Sequence, residues 1–262
     1  MLKKTIYKLI FVLLLIICFF FFSNNYIQVS KYDYRYNGNK DYTIVHISDL
    51  HNKDFGNRLI NKIKKQNPNI IVITGDIIDS KKKNLSIAYK FAKECTNITT
   101  TYFVSGNHDV YNEYIEIITT LENYGVIVLE DKNILLDENI NLIGMKDIYG
   151  RDIESFSNQL NNLVDNKRFN LLLSHRPELI DIYIENNIDL VFSGHTHGGQ
   201  WRIPFINKGI IAPNQGFFPK YSEGMIVKNN TTMIVSRGLG NSIIPLRIFN
   251  QPELIITTLK IE

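Results

Sequence analysis

Two histidines stand one residue apart in the segment Gly194-His195-Thr196-His197-Gly198-Gly199-Gln200. The apolar residues 188–192 precede it and predict a buried strand. Because a glycine-flanked turn at the end of a strand can aim both imidazoles into one cavity, the segment predicts a site for Zn, Mn or Fe. Taken alone, the segment could equally be a surface loop that holds two histidines by chance. A metal site therefore requires further metal-binding residues elsewhere in the chain.

Such partners occur elsewhere in the chain, each with a side chain able to bind a metal ion. They are Asp49 and His51, Asp76 with Asp79 in a G-D-x-x-D motif, Asn107, His108 and Asp109 after Gly106, and His175. Carboxylates suit hard divalent ions, imidazoles suit borderline ions, and asparagine can bind through its carbonyl oxygen. Five of the six histidines fall in these motifs, which favours a metal centre over histidines placed for core packing.

The elements that must position these residues alternate between strand and helix from residue 42 onward. The pattern predicts strands at 42–48, 70–74, 101–105, 126–129, 133–137, 140–144, 169–173 and 188–192, and helices at 57–66, 85–95, 111–123, 154–163 and after Pro177. Each candidate ligand follows a predicted strand, and open α/β sheets bind ligands at the carboxyl ends of their strands. We therefore expect the motifs to converge on one rim. Later strands near 224–228, 232–236 and 253–260 are expected to pair antiparallel at one side of the core.

The composition predicts one globular domain. The chain has 262 residues, of which 44% are hydrophobic and 21% charged, and its net charge is +3. Lys3, Lys4 and Lys8 account for that charge, so the remainder is neutral and we expect no nucleic-acid partner. Cys18 lies in the apolar N-terminal stretch and Cys95 in a predicted helix, so a disulfide between them is not expected.

The N-terminal residues 1–26 predict an uncleaved signal-anchor. Two lysines precede the apolar residues 9–22, which approach the length that a membrane-spanning helix needs. A cleaved signal peptide is the alternative, but no A-x-A pattern follows the apolar stretch. The positive-inside rule then predicts a single-pass protein of the cell membrane with its catalytic domain extracytoplasmic. Residues 27–41 are interpreted as a polar tether, and 42–262 as the domain.

The order D-x-H, G-D-x-x-D, G-N-H-D, H and G-H-x-H resembles the calcineurin-like metallophosphoesterase superfamily. Residues 195–201 and 236–241, together with the N-terminal anchor, resemble its membrane-associated bacterial branch, whose members are related to UDP-2,3-diacylglucosamine hydrolase. The resemblance implies a four-layer α/β/β/α sandwich with two divalent metal ions, which could be Mn, Zn or Fe. It leaves the identity of the metals open, because the same ligand set suits all three.

The resemblance also implies a ligand set. One ion takes Asp49, His51, Asp76 and His197, and the other takes Asp76, Asn107, His175 and His195, so that the Asp76 carboxylate bridges them. Two ions roughly 3.5–4 Å apart can clamp the attacking and leaving oxygens, and a water between them becomes hydroxide near neutral pH. The resemblance further implies that His108 is the acid that protonates the leaving oxygen, and that the adjacent Asp109 orients it.

Several further residues have both a functional and a structural interpretation. Asp79 could orient a metal ligand, or it could cap a helix. The lysines at 81–83 are interpreted as a solvated turn, and His46 is interpreted as a core residue. Trp201 and Arg202 could line a substrate groove, and Arg176 could meet phosphate. Packing or solvent exposure is the alternative for these three residues, and a structural role is expected for Arg237.

The predicted function is hydrolysis of a phosphoester, such as a phosphodiester or pyrophosphate of a lipid, a lipid-linked nucleotide sugar or an envelope component. The expected partners are that substrate and the membrane, and no obligate protein partner is inferred. A non-catalytic metal-binding envelope protein of the same fold is the alternative, and loss of ligands would be its signature. Dinuclear hydrolases of C–N or C–O bonds commonly carry an H-x-H-x-D-H cluster, which this chain lacks.

Overall fold

The computed structural model describes residues 2–82, 84–110, 113–206, 208–241 and 245–262. The helices are α1 (Leu2–Asn25), α2 (Asn57–Lys64), α3 (Ser86–Thr96), α4 (Tyr114–Asn123), α5 (Ile153–Asn161) and α6 (Ile180–Glu185). The strands are β1 (Gln28–Tyr36), β2 (Tyr42–Ile47), β3 (Ile70–Thr74), β4 (Thr101–Val104), β5 (Ile127–Val128), β6 (Lys132–Leu135), β7 (Ile140–Gly144), β8 (Phe169–Leu173), β9 (Leu190–Ser193), β10 (Arg202–Ile203), β11 (Lys208–Gly209), β12 (Ile211–Ala212), β13 (Gly216–Phe217), β14 (Gly224–Lys228), β15 (Thr231–Val235) and β16 (Glu253–Ile261).

Two six-stranded sheets form the centre of the molecule. The first has the order β1-β16-β2-β3-β4-β5, and the second has the order β14-β15-β9-β8-β7-β6. Within the first sheet β2 to β5 run parallel, and within the second β7, β8, β9 and β15 run parallel. The parallel strands of each sheet thus end together, and the loops that follow them share a rim.

Alternation along the strands explains why the sheets pack on both faces. In β3, Ile70 and Val72 point into the core between the two sheets, whereas Ile71 and Ile73 point to the core beneath α2, α3 and α4. A third core joins the second sheet to α5 and α6. Strands buried on both faces need continuous apolar sequences, which is the pattern that the chain shows. The predicted four-layer α/β/β/α sandwich is confirmed.

The structure corrects two of the predicted elements. Residues 28–36, interpreted as part of a polar tether, form β1, which pairs in parallel with β16 along its whole length. Alternate side chains of β1, including the buried Tyr36, pack against the inter-sheet core. The polar residues between them are typical of a strand at the edge of a sheet. The C-terminal strands also do not gather at one side, because β14 and β15 lie in the second sheet and β16 lies inside the first.

The remaining predicted elements differ from the structure mainly at their ends. The helix expected over 111–123 is described from Tyr114, and Tyr111 and Asn112 lie outside the described residues. The short strands β10 to β13 form two small hairpins in a segment for which no strand was predicted. Strand ends and cap residues depend on tertiary contacts, so local patterns fix them poorly.

Helix α1 stands away from the body except near its C-terminal end. The segment Lys3–Asn25 is the one helix of the described residues that is long and apolar enough to cross a membrane, by length and composition. Phe19 packs against Phe249 with ring centroids 5.0 Å apart, and the Asn24 side chain accepts a hydrogen bond from the Arg247 amide at 2.9 Å. The helix therefore enters the folded body directly at Asn24.

Candidate metal centre

The loops at the shared rim hold several of the candidate metal ligands in a strained backbone conformation. Their φ angles are positive although none of them is glycine; they are Asp49 (52°), His51 (48°), Asp76 (52°), His195 (69°) and His197 (49°). Each residue in this left-handed region costs roughly 1–3 kcal/mol and persists only when surrounding structure imposes it. Such outliers gather at functional sites, and here they coincide with five of the predicted ligands.

Three of these residues form what we call the first triad, namely Asp49, His51 and His197. His197 Nε2 lies 3.4 Å from Asp49 Oδ1 and 3.2 Å from His51 Nε2. All three side chains are buried, and their ligand atoms lie close enough to share one metal ion. Asp49 and His51 follow β2 and His197 follows β9, so the triad joins the two sheets.

The second triad consists of Asp76, His175 and His195, and it is also buried. His175 Nε2 lies 3.3 Å from Asp76 Oδ2, and His195 Nδ1 lies 3.2 Å from His175 Nε2. The same Asp76 Oδ2 atom lies 3.6 Å from His51 Nε2 of the first triad. Asp76 thus stands between the two triads.

Close backbone packing makes this arrangement possible. Gly75 has a φ of +89°, and a Cβ placed there would meet the Gly106 nitrogen at 2.4 Å. A Cβ on Gly106 would in turn meet Asp76 Oδ1 at 2.3 Å. The loops after β3 and β4 can therefore approach each other only because both positions are glycine.

Burial shifts the titration of the histidines towards the neutral form that binds metals. It lowers the pKa of His51 to about 4, and it holds the pKa values of His195 and His197 well below the usual range. His175 differs: burial opposes its charge, but the Asp76 carboxylate beside it raises the pKa of His175 to about 10. The cluster therefore supplies neutral imidazoles around a single strong ion pair.

The ionisation of the buried carboxylates indicates whether the site suits a metal ion. Burial raises the pKa of Asp49 to about 6, although His175 favours its ionised form. Burial also disfavours ionised Asp76, yet the charge and hydrogen bond of His175 hold the pKa of Asp76 well below its usual range. The buried Oδ1 of Asn107, moreover, has no hydrogen-bond partner among the described residues. Neighbouring buried carboxylates and an unpaired amide oxygen are groups that a metal ion would satisfy, so the residues fit.

Side-chain contacts fix the imidazoles of the second triad. His175 Nδ1 donates to the Thr74 carbonyl at 2.7 Å, which leaves its Nε2 facing Asp76. His195 Nε2 lies 2.8 Å from Asn214 Oδ1 and 3.0 Å from Arg176 Nη1, which leaves its Nδ1 facing the cluster. Asn214 is held in turn by Arg176 Nη1 at 2.8 Å. Each imidazole thus has its ligand nitrogen selected by the hydrogen bond at its other nitrogen.

Arg176 is itself anchored by a carboxylate that the sequence analysis missed. Its Nε and Nη2 donate to the two oxygens of buried Asp147 at 2.7 and 2.9 Å. Asp147 follows β7, so the rule that placed the other site residues at strand ends could have found it. Asn214 lies in a loop with no comparable sequence signal.

The first triad is supported from the C-terminal segment instead. Arg247 is fully buried and donates to the carbonyls of Arg237, at 2.8 Å, and of Gly238, at 3.2 Å, and also to the Gly240 carbonyl. Gly238 lies directly on Asp49, since a Cβ there would stand 2.6 Å from Asp49 Cβ. Asn250 Nδ2 donates to the His197 carbonyl at 2.7 Å.

The residues around His108 correct the orienting role implied for Asp109. The buried Asp109 carboxylate accepts hydrogen bonds from the backbone amides of Asp76 at 2.6 Å and Gly106 at 2.8 Å, and so ties the loops together. His108 Nδ1 instead lies 3.0 Å from Ser80 Oγ and 3.9 Å from Asp79 Oδ1. Asp79 and Ser80 therefore hold the His108 ring, and Asp109 shapes the backbone beneath it.

The remaining singled-out residues lie mostly in structural positions. His46 is buried with its Nε2 2.7 Å from Thr74 Oγ1, and Trp201 Nε1 donates to the Leu246 carbonyl at 3.1 Å. Arg237 pairs with Glu253 at 3.1 Å, and Arg202 pairs with Glu223. Lys82 donates to the His51 carbonyl at 2.8 Å rather than lying free in solvent, and Lys83 lies outside the described residues.

Comparison with known proteins defines the class. A sequence profile of the calcineurin-like phosphoesterase family matches residues 42–199, the part of the chain that carries both triads. Among solved structures, a dimetal phosphatase from Danio rerio superposes with a TM-score of 0.52 at 12% identity, covering 76% of this chain and 88% of that one. The chain has the metallophosphatase fold and belongs to the calcineurin-like phosphoesterase family.

Relatives match over most of the domain. The metallophosphoesterase Cj0846 of Campylobacter jejuni is 30% identical over 84% of this chain. A transmembrane protein with a metallophosphoesterase domain from Danio rerio is 27% identical over 83% of this chain. The chain spans 60% of the length of the first relative and 53% of the second, so both are longer proteins that contain a similar domain.

Proposed function

We propose that the protein is a metal-dependent phosphoesterase whose centre holds two divalent ions, one at each triad. The observation that carries this proposal is the position of Asp76 Oδ2, 3.6 Å from His51 Nε2 and 3.3 Å from His175 Nε2. A carboxylate between two buried ligand clusters is the group needed to hold two cations side by side. The family membership and the fit of the donor set support the same conclusion.

The ligands would divide as the resemblance implies. Asp49, His51, Asp76 and His197 would hold one ion, and Asp76, Asn107, His175 and His195 the other. When bound, such ions supply an acidified water as nucleophile and positive charge for the phosphate oxygens. Mn, Zn and Fe all suit the mixture of imidazole, carboxylate and amide donors. Every residue of the expected ligand set is present in the sequence. A non-catalytic relative would be expected to have lost some of them, so their presence argues against that alternative.

His108 would act on the leaving-group oxygen. Its side chain is about one-fifth exposed beside the triads, and its Nδ1 faces Ser80 and Asp79. A ring held at Nδ1 presents Nε2 for proton transfer, and an imidazole is suited to that task near neutral pH. Asp109 would contribute by fixing the loops that carry Asp76 and His108.

We further propose that residues 1–26 anchor the protein in the cell membrane as a single-pass helix, with the body outside the cytoplasm. The apolar segment Lys3–Asn25, the lysines before it and the relative named as a transmembrane protein support this topology. Because β1 completes the first sheet, the phosphoesterase domain of residues 42–262 would need residues 28–36 as well. An anchored enzyme favours a lipid, a lipid-linked nucleotide sugar or an envelope component as substrate, through a phosphodiester or pyrophosphate bond.

A metal-reconstitution assay tests the proposal. The full chain in detergent is stripped with a chelator and supplied separately with Mn, Zn or Fe(II), and hydrolysis of a chromogenic phosphodiester and of the matching monoester is followed. We expect two ions per chain and metal-restored hydrolysis that Asp76→Ala abolishes, whereas Asp181→Ala, a change on the exposed side of α6, does not. Two bound ions with neither ester cleaved would favour the non-catalytic alternative, and no bound metal would overturn the proposal.

A further inference from the structure

Two short hairpins present bulky apolar side chains to solvent. The turn between β10 and β11 holds Phe205, which is fully exposed, and Ile206, which is 60% exposed. At the end of the second hairpin lie Phe217 in β13 and Phe218 directly after it, 73% and 62% exposed. We call these the first and the second apolar pair. Bulky apolar residues that gather on a protein surface are typical of an interaction site.

The backbone of the hairpins holds the two pairs in this exposed position. Phe205 and Phe218 have positive φ angles of 70° and 55°, a region that bulky residues rarely adopt. The Phe218 amide donates to the Ile210 carbonyl at 2.8 Å. Gln215 closes the loop around the second pair, because its side chain donates to the Tyr221 carbonyl at 3.0 Å and accepts from the Tyr221 amide at 2.9 Å. The fold therefore keeps the phenylalanines outward although their backbone conformation costs free energy.

The charges beside the apolar pairs are positive. An exposed lysine follows each pair after one intervening residue, Lys208 after the first pair and Lys220 after the second. Residues 201–222 contain no acidic residue. Apolar side chains flanked by lysines suit the surface of a bilayer, because the apolar groups enter the acyl region while the ammonium groups meet anionic headgroups.

The first hairpin begins beside the end of α1. The Arg202 amide donates to the Ile248 carbonyl at 3.0 Å, and the next residue, Phe249, packs against Phe19 of α1. The apolar side chains of α1 at residues 9–17 remain about half exposed. In the proposed anchor, the spanning part of α1 therefore ends near Phe249, and β10 starts from the same level.

We propose that the two apolar pairs insert into the lipid bilayer beside α1 and form a second membrane contact, made by the folded body. The inference rests on the proposed membrane anchor, since α1 brings the hairpins to the bilayer. The apolar helix next to the first hairpin and the lysines after both pairs favour a bilayer over a protein partner as the surface that covers them.

This contact would hold the metal centre at the membrane surface. Gly209 of the first hairpin packs on Gly199, two residues after His197, and a Cβ on Gly199 would meet the Gly209 Cα at 2.3 Å. Asn214, in the turn of the second hairpin, lies 2.8 Å from His195 Nε2. Each hairpin thus joins an apolar pair to the loop of the candidate metal ligands, so inserting both pairs would turn that rim towards the lipid.

Fluorescence quenching in vesicles tests the proposal on the full chain. The protein is reconstituted into an equimolar mixture of phosphatidylcholine and phosphatidylglycerol. Cys18→Ser removes the exposed cysteine, and Cys95 is buried, so an environment-sensitive dye can be attached to a cysteine introduced by Phe205→Cys or by Phe217→Cys. We expect blue-shifted emission from both dyes, and quenching by lipids that carry a doxyl group on the upper part of the acyl chain.

Leu135 supplies the matched control. It is an exposed apolar residue like those of the pairs, but it lies opposite Asn141 at the start of β7, the end of the sheet away from the rim. A dye attached after Leu135→Cys should show neither the blue shift nor the quenching. Replacing the second pair by Phe217→Ser and Phe218→Ser should weaken the quenching of the dye at position 205, whereas Leu135→Ser should not. Because these side chains are exposed, their substitution is not expected to impair folding.

Flotation of the same vesicles distinguishes the two possible failures. If the chain does not float with the vesicles, the proposed anchor fails, and the hairpin contact fails with it. If the chain floats but the dyes at 205 and 217 behave like the dye at 135, the anchor stands and the hairpin contact alone is overturned. Blue-shifted emission that doxyl lipids leave unquenched would indicate burial against protein, such as a second copy of the chain, and would also overturn it.

Discussion

The two triads have the same ligand chemistry but are supported in different ways. The first triad depends on the C-terminal segment, where Arg247 and Asn250 act through backbone carbonyls. The second depends on the side chains of Arg176 and Asn214, which act on the His195 ring. One half of the centre is thus held through the main chain, and the other half through a chain of side-chain hydrogen bonds.

This difference separates stability from metal affinity. Substitutions behind the first triad leave buried carbonyls unpaired and should act mainly on folding. Substitutions behind the second triad release an imidazole and should weaken metal binding, and among them Arg176→Met also destabilises the fold because it leaves the buried Asp147 carboxylate without its partner. Four predictions test this distinction, in order of decreasing effect.

The largest effect is expected from removing a ligand in either half. His197→Ala and His195→Ala should each reduce bound metal from two ions to one per chain, because each imidazole belongs to a different triad. Hydrolysis should fall about 1,000-fold or more in both, since the clamp on the phosphate oxygens is lost. Metal content by mass spectrometry and kcat/KM with excess metal are the measurements. A variant that keeps two ions and wild-type activity would contradict the division into two sites.

The next effect is on stability and concerns Arg247. Arg247→Met leaves the buried carbonyls of Arg237 and Gly240 without a donor, and should lower the free energy of unfolding by about 3 kcal/mol. Urea unfolding of chelator-treated protein measures the change without a contribution from metal binding. Arg168→Met, which removes a partly exposed pair with Asp165, should change stability by less than about 0.5 kcal/mol. Equal stability of the Arg247 variant and the wild type would refute the structural role of this segment.

The contrast between the halves also shows what the sequence could predict. The strands β2, β3, β4, β8 and β9, and the candidate ligands that follow them, were predictable because apolar stretches and polar residues at their ends are local patterns. Asp147 obeyed the same rule and was overlooked. Asn214 and Asn250 could not have been found, since they act through contacts with residues distant in sequence. Arg247 could not have been found either, because it binds the carbonyls of an irregular segment that has no local pattern. For the same reason β1 was interpreted as a tether: its partner β16 lies at the other end of the chain.

The role of Asp109 illustrates a second limit. The family resemblance implied that it orients the adjacent His108, yet neighbouring residues in a turn point in different directions. Its carboxylate turns inward to the amides of Asp76 and Gly106, and Asp79 approaches His108 from another loop. A motif predicts which residues gather at a site, whereas the contacts within the site require the structure.

A moderate effect on metal affinity is expected for Arg176. Arg176→Met removes the group that holds Asn214 against His195, so affinity for one of the two ions should fall about 10- to 100-fold. Competition with a chromophoric chelator measures both affinities, and the tighter binding of the unaffected ion serves as an internal reference. Arg151→Met, which breaks a pair with Asp131 away from the triads, is the matched control. Equal weakening of both ions, or of neither, would count against separate supports for the halves.

The smallest effects come from two asparagines, which compare the two supports directly. Asn214→Ala removes one of two contacts of the His195 Nε2 atom and leaves Arg176 Nη1, 3.0 Å away, as the other. The imidazole is then held less firmly, and we expect the second-triad ion to bind roughly tenfold more weakly. Asn250→Ala removes a donor to the His197 carbonyl, but the backbone of His197 remains held by its own loop.

Metal affinity in Asn250→Ala should therefore change by less than about threefold, while the free energy of unfolding falls by about 1 kcal/mol. Affinity by chelator competition and stability by urea unfolding are measured on both proteins. The contrary result would be a loss of metal affinity in Asn250→Ala and a loss of stability in Asn214→Ala. Main-chain support would then govern metal binding and side-chain support would govern folding, which is the reverse of what the contacts indicate.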